Sequence, residues 1–447
     1  MKEPIISVSG LRGIVGESLS PELAMRFACA GAALAPPGSI VVTRDGRATG
    51  RMLADAVRSG LQAVGRTVID ADVASTPTTG VLVRHHRAAG GVQISASHNP
   101  AEYNGLKLFS AEGRVISASA GQRVIERYRS GEAAWVPYNQ LGCLEACNDT
   151  HGPHWELVRE TVDVERIRAA RFRVLLDSNH GAGSLLGRRL LEELGCQFSI
   201  VGEQSDGRFE HSPEPTAENL AGILRRVTAA EADVGFCQDP DADRLAVIDE
   251  QGRYLGEEYT LALCVDHVLR THRGPIVTNC STSRMSEDLA ERYGVKCHRS
   301  AVGEANVVEA MLAARAVFGG EGNGGPIDPR VGYVRDSFVG MALVLDAMAA
   351  RQAKISQLAA ELPRYEIVKT KISLAPEKIH TGLAALERHF AGAQHNRMDG
   401  LRLDWPGKWL LVRASNTEPI VRAIAEAPTV AEATQLCSEA GQVLSGL

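Results

Sequence analysis

Apolar residues along the chain gather into short runs of strand length, each followed by a polar loop and then by a stretch with helical spacing. Ser39-Ile-Val-Val-Thr43 reads as a strand and Arg44 to Gly50 as a loop, while Leu53, Val57, Leu61 and Val64 mark one face of a helix. Thr67-Val-Ile-Asp70 then begins another strand. The unit returns twice. Phe172 to Leu176 enters the turn Asp177-Ser-Asn-His-Gly-Ala-Gly183 and a Leu-rich helix that stops at Gly195. Gly274 to Thr278 enters Asn279-Cys-Ser-Thr-Ser283 and a helix with Met285, Leu289 and Tyr293 on one side. Units recurring about every hundred residues predict three consecutive α/β domains with mixed, parallel-dominated sheets whose loops open at strand C-termini. The Gly-Ala-Gly turn at 181–183 fits either a phosphate cradle or a tight strand-to-helix connection. Beyond Pro363 the pattern changes to short strands at 369–374, 401–405 and 409–412, with helices near 376–391 and 430–445. This predicts a smaller C-terminal α+β domain with an antiparallel sheet. Polar sequence from Arg129 to about Gly152, the Gln251-Gly252 turn and Pro363 set the expected boundaries, giving domains 1–149, 150–250, 251–364 and 365–447.

Length agrees with this division, since 447 residues exceed what one hydrophobic core organises. A formal charge of -6, with no basic run, argues against a nucleic-acid partner. No window approaches the about 18 consecutive apolar residues of a membrane span, and no charged-then-apolar leader opens the chain, so a cytoplasmic protein is expected. Nine cysteines are scattered, and Cys29, Cys237, Cys264, Cys280 and Cys437 lie in apolar stretches, as reduced core thiols do. Cys143 and Cys147 lack the further His or Cys that a zinc site needs.

Candidate chemistry begins where the apolar run Gly91-Val-Gln-Ile94 ends in Ser95-Ala-Ser97-His98-Asn99-Pro100. The backbone must turn just where a hydroxyl appears, which is a nucleophile's position only if a base, a metal or an anion-binding partner is at hand. Asp239-Pro-Asp241-Ala-Asp243-Arg244 is the strongest single signal, because three carboxylates at alternate positions converge on one hard cation. Glu250 stands twelfth from Asp239, as in a calcium loop, but Arg244 occupies the sixth position where glycine is required and both flanks read as strands. Magnesium on a strand-to-strand loop is therefore expected. Arg12 between Gly10 and Gly13 suits either an anion contact or a solvated turn. Gly319-Gly-Glu321-Gly-Asn323-Gly-Gly325 offers an acceptor and an amide to sugar hydroxyls, or is a flexible loop. Arg413-Ala-Ser415-Asn416-Thr417-Glu-Pro419, with Arg422 nearby, suits a phosphate dianion or an ordinary turn. Lys107, if desolvated beside other cations, would have its pKa lowered enough to shuttle a proton.

Ser-His-Asn-Pro, Asp-Pro-Asp-Ala-Asp-Arg, Gly-Glu-Gly-Asn-Gly-Gly and Arg-Ala-Ser-Asn-Thr-Glu-Pro, in this order, resemble the α-D-phosphohexomutase family from end to end. The resemblance implies four domains around a central cleft and interconversion of hexose 1- and 6-phosphates through a phosphoserine and a bisphosphorylated sugar. Ser97 matches the phosphoserine, Asp239, Asp241 and Asp243 the Mg2+ ligands together with the phosphate on Ser97, and Arg244 the arginine closing the metal loop. Arg12 and Lys107 match the active-site arginine and the proton-transfer lysine, with His98 as the neighbouring proton acceptor. Glu321 and Asn323 fall on the sugar loop; Arg413, Ser415, Asn416 and Thr417 fall on the phosphate clamp, with Arg422 beside it. A hexose 1,6-bisphosphate primer, small sugar phosphates as the partners and a monomeric or homodimeric state are implied as well. Many relatives carry Glu-x-Ser-Gly-His where this chain has Asn323 for the serine and Gly325 for the histidine. The form found here resembles an archaeal-type subgroup that includes phosphoglucosamine mutases, with dual phosphoglucomutase/phosphomannomutase activity the alternative. A metal-dependent sugar phosphatase or a non-catalytic sensor would not need a second phosphate clamp together with the full catalytic set.

Overall fold

A computed structural model describes residues 3–7, 10–414 and 420–446 and contains four sheets. The first has seven strands in the order Ile5–Ser7, Gly10–Ile14, Tyr103–Ser110, Gly90–Ile94, Ile40–Arg44, Val68–Val73, Leu144–Ala146. From Gly90–Ile94 to the Leu144–Ala146 edge the pairs are parallel, and on the side reaching the N-terminus they are antiparallel. Leu144–Ala146 lies in the polar stretch read above as a boundary loop. Three exposed residues on a sheet edge carry no alternation that a sequence can reveal. Arg12 likewise sits on a paired strand, not in a solvated turn.

The second sheet runs Tyr254–Gly256, Leu245–Asp249, Val234–Gln238, Arg173–Asp177, Gln197–Val201, and the third Cys297–Ser300, Ile276–Asn279, Phe318–Glu321, Gly325–Ile327. Both combine parallel and antiparallel pairs. The fourth, Glu366–Ser373, Ile420–Ala427, Lys408–Ala414, Leu401–Trp405, Gln394–Asn396, is antiparallel throughout, with the helices Ile379–His389 and Val430–Ser445 packed on its core. Leu53, Val57 and Leu61 are fully buried on the helix Gly50–Ala63, and the five cysteines expected in cores are buried and unpaired. Gly181 explains the Gly-Ala-Gly turn: a Cβ there would come within 2.6 Å of Pro240, so the turn is a close approach to the loop that carries Asp239. Among the described residues no helix is long and apolar enough to cross a membrane.

One apolar core runs through the second and third units, gathered around the helices Glu257–Thr271 and Ser337–Arg351. The first unit joins them through a buried polar relay. Thr78 Oγ1 lies 2.9 Å from His154 Nδ1, and His154 Nε2 lies 2.7 Å from Asp336 Oδ2, so three side chains from three units meet with water excluded. Asp336 also caps Ser337–Arg351, accepting the N–H groups of Phe338 and Val339 at 2.9 and 3.3 Å. The fourth unit docks on the third through Trp409, Leu411 and Ile424 against Cys280, and Glu426 accepts the Trp409 indole N–H at 2.8 Å.

His154→Ala leaves Thr78 and Asp336 buried without this partner and opens a cavity beside Phe338, whose ring meets His154 edge-on at 5.5 Å. A loss of about 3 kcal/mol in unfolding free energy is expected in a denaturant titration. A midpoint equal to that of the wild type would show that the relay does not hold the units together.

Candidate active site

Ser97 follows the strand Gly90–Ile94 with its backbone in the left-handed region, at φ 50°. A β-carbon resists that conformation, so neighbouring groups must hold it. Arg47 does so from inside: Nη2 donates to the carbonyls of Ser97 and Asn99, both at 2.6 Å, and Nη1 to those of Pro100 and Tyr103 at 2.6 and 3.0 Å. Asp45 accepts Arg47 Nε at 3.1 Å and the Ser95 hydroxyl at 2.6 Å, and Ser95 Oγ accepts the Ser97 N–H at 2.9 Å. Both residues are buried in the segment read from the sequence only as a loop, and nothing in the hydropathy pattern marks them. Their consequence is a fixed Ser97 hydroxyl.

That hydroxyl donates to Asp239 Oδ2 at 2.8 Å. Asp239 to Arg244 form the connection between the antiparallel strands Val234–Gln238 and Leu245–Asp249, as expected, with Ala242 in the left-handed region at φ 53°. Asp239, Asp241 and Asp243 are fully buried, and each offers a carboxylate oxygen within 4.8 Å of the others. Lys107 Nζ donates to Asp241 Oδ2 at 2.7 Å and Asp243 Oδ2 at 2.8 Å; Thr76 Oγ1 donates to Asp241 Oδ2 at 2.5 Å. The other oxygens of these two residues, Asp241 Oδ1 and Asp243 Oδ1, are buried without a hydrogen-bond partner. Leaving such acceptors dry is costly, and a hard cation is what they fit. The triad can therefore bind a metal ion.

Electrostatics carry the same mark. Burial, reinforced by Asp241 and Asp243, pushes the Asp239 carboxyl well above its ordinary range. Burial would raise Asp241 as well, but Lys107 and Thr76 overturn it and hold that group low; Arg335 does the same for Asp243. Lys107 reverses the expectation drawn from its sequence surroundings. Burial does press its pKa down, but Asp241 and Asp243 outweigh burial and set it above the ordinary lysine value. The neighbours are anions, not the cations supposed. His98, 3.4 Å from the Ser97 hydroxyl through Nδ1, is depressed to about 2 by burial and by the charges of Arg244 and Arg12. Arg12 Nη1 donates to Asn99 Oδ1 at 3.2 Å, and Arg244 Nε stands 3.9 Å from Asp243 Oδ1.

Arg335, which the sequence reading passes over, connects this cluster to the glycine-rich loop. It donates from Nη2 to Asp243 Oδ2 and from Nη1 to Glu321 Oε2, both at 2.7 Å. Its only signal in the sequence is a cation placed just before an N-capping aspartate. Glu321 also accepts from Asn279 Nδ2 at 2.7 Å and from the Gly303 N–H at 3.0 Å. Beyond it opens a cavity of about 410 Å³ whose walls include Glu321, Asn323, Lys369, Arg413 and Arg422. The segments expected from the sequence to be a sugar loop and a phosphate clamp, some ninety residues apart, thus line one hollow between the third and fourth units. The Asn323 amide oxygen is buried there without a partner, and Arg413 pairs with Asp399 at 3.1 Å. Ser415, Asn416 and Thr417 lie outside the described residues. Glu258 is an unforeseen member of the wall, and burial pushes its carboxyl up to about 8.

Domain by domain, the chain matches the family described as "Phosphoglucomutase/phosphomannomutase": alpha/beta/alpha domain I over residues 4–135, domain II over 153–252, domain III over 257–365 and the C-terminal domain over 374–441. It is 39% identical over 435 residues to a phosphoglucomutase/phosphomannomutase of Thermococcus kodakarensis, covering 95% of each chain. It is 33% identical over 441 residues to a probable phosphoglucosamine mutase of Thermococcus gammatolerans, covering 98% of this chain and 97% of the relative. Among solved structures, a phosphoglucomutase/phosphomannomutase family protein from Burkholderia thailandensis superposes with a TM-score of 0.83 at 26% identity, over 99% of this chain and 98% of that one.

A divalent cation held at about a hundred times its Kd should stabilise the folded protein by about 2.7 kcal/mol, read as a rise in thermal midpoint. Asp241→Asn should abolish the rise; an equal rise in that variant would mean that the ion binds elsewhere. Buried triad, fixed serine and shared hollow lie in a chain matched in all four domains from residue 4 to residue 441, and the chain belongs to the phosphoglucomutase/phosphomannomutase family.

Proposed function

We propose that the protein is a phosphohexose mutase, an intramolecular phosphotransferase that interconverts hexose 1-phosphates and 6-phosphates through phospho-Ser97 and a bisphosphorylated sugar. The observation that carries this reading is the 2.8 Å contact between the Ser97 hydroxyl and Asp239 inside a triad with unpartnered oxygens. A phosphoryl group on Ser97 would meet that carboxylate as a second anion, and the pair is tolerable only with a cation between them. Mg2+ held by Asp239, Asp241 and Asp243 would supply that charge and draw electron density from the phosphoryl oxygens.

With a sugar 1-phosphate bound, the O6 hydroxyl attacks phosphorus, the P–Oγ bond of Ser97 breaks and an O6–P bond forms. The product is the sugar 1,6-bisphosphate and a free Ser97. After the sugar turns end for end, Ser97 Oγ attacks the phosphorus at O1, releasing the 6-phosphate and restoring phosphoserine. A hexose 1,6-bisphosphate would prime an unphosphorylated chain by the same second step. Arg12 and Arg244, whose charges both act on His98 beside Ser97, would stabilise the equatorial oxygens of the transferring group. Burial and the charges of Arg244 and Arg12 depress His98, which weakens it as a base for the proton of the attacking hydroxyl. Lys107 would suit that role if a cation offset Asp241 and Asp243, the two anions that hold its pKa up against burial.

The non-reacting phosphate requires a second anion site. Lys369, Arg413 and Arg422 in the shared hollow support one there, with Ser415 to Thr417 as its expected hydroxyl and amide donors. Glu321 and Asn323, which line the same hollow, suit the sugar ring. A metal-dependent phosphatase would have no use for this second site. The Gly-Glu-Gly-Asn-Gly-Gly loop favours glucosamine phosphate as the substrate; the 39% kinship with a phosphoglucomutase/phosphomannomutase favours glucose and mannose phosphates as the second reading.

Glucosamine, glucose and mannose 1-phosphates, each with Mg2+ and the bisphosphate primer, should yield 6-phosphates, and Ser97→Ala should yield none. A kcat/KM preference above about tenfold, or about 1.4 kcal/mol, assigns the sugar. Release of inorganic phosphate in place of the 6-phosphate would make the protein a phosphatase.

A further inference from the structure

We propose that Arg335 is the positioning residue that couples the cation loop to the sugar loop, and that position 325 is a glycine because the Arg335 stem lies across it. The inference rests on reading the Asp triad as a cation site and Glu321 as a sugar contact. Arg335 is delivered from a backbone bolted on three sides. Its own N–H donates to Glu304 Oε1 at 2.8 Å, the next N–H, of Asp336, donates to the Pro326 carbonyl at 2.8 Å, and the Ser337 hydroxyl donates to the Ala242 carbonyl at 2.7 Å. From that fixed origin one planar guanidinium spans Asp243 Oδ2 and Glu321 Oε2. Only a fork does this; a lysine ammonium keeps the charge but lacks the two-pronged geometry.

The bond to Asp243 decides which of its oxygens is available. Oδ2 accepts from Lys107 and Arg335, while Oδ1 accepts no hydrogen bond, has Arg244 Nε no nearer than 3.9 Å and is left for a cation. At its other end, the bond to Glu321 fixes the carboxylate that faces the hollow. A shift of Arg335 therefore displaces both at once. Gly325 sets that position sterically. Its backbone is outside the left-handed region, so conformation does not demand glycine. A Cβ there would lie 2.3, 2.7 and 2.9 Å from Cδ, Cγ and Cβ of Arg335, which is the root of the side chain and cannot swing aside. A histidine at this position could not coexist with Arg335 as it stands here.

Arg335→Lys and Gly325→Ala test the coupling, because the first keeps the charge without the fork and the second keeps the arginine but displaces it. Mn2+ affinity by calorimetry and glucose 1-phosphate affinity of the metal-free protein by fluorescence or calorimetry are measured on each, with circular dichroism and the thermal midpoint as the check on folding. Both variants should weaken both ligands by about tenfold. Loss of one ligand only, or wild-type affinity for both in Gly325→Ala, would overturn the coupling. Should Gly325→Ala fail to fold, Arg335→Lys decides on the same two constants. A wild-type protein that binds neither probe would overturn the reading of the site itself, and the inference with it.

Discussion

Three carboxylates buried within 4.8 Å of one another are the constraint from which the rest of the structure follows. Desolvation and mutual repulsion both oppose such a cluster, and a protein keeps one only by surrounding it with compensating charge and donors. Here the compensation comes from other units of the fold: Lys107, Thr76 and Ser97 from the first, Arg335 from the third. The polar cluster is therefore also a joint. Its loops meet through these hydrogen bonds, and the relay through Thr78, His154 and Asp336 fastens the same three units.

Compensation is incomplete, and the deficit is informative. Cations take the Oδ2 atoms of Asp241 and Asp243, leaving the buried Oδ1 atoms without a hydrogen bond, and the Asp239 carboxyl is raised. A site built only for stability would have closed that gap with one more donor. The fourth unit contributes Lys369, Arg413 and Arg422 to the walls of a separate hollow, which they share with Glu321 and Asn323 of the third.

Much of this was legible in the sequence because the informative residues are local. The strand-loop-helix repeats, the change to short strands after Pro363 and the alternate carboxylates at 239, 241 and 243 each occupy a few consecutive positions. What escaped depends on contacts between distant segments. Asp45 and Arg47 look like an ordinary polar loop until their guanidinium reaches four carbonyls around Ser97. Arg335 is an isolated arginine until it meets Asp243 and Glu321. The Lys107 pKa was misjudged in direction for the same reason, since its sign is set by residues more than a hundred positions away. Leu144–Ala146 was missed because its strand character comes entirely from the edge it pairs with.

The central claim is that the Ser97 hydroxyl carries a phosphoryl group in the working protein. Peptide mass spectrometry of the chain after incubation with glucose 1,6-bisphosphate and Mg2+ tests it most directly. The account predicts one added phosphoryl group, located on Ser97 and lost when excess sugar monophosphate is supplied. A chain that stays unmodified, or that takes the group on another residue, would contradict it.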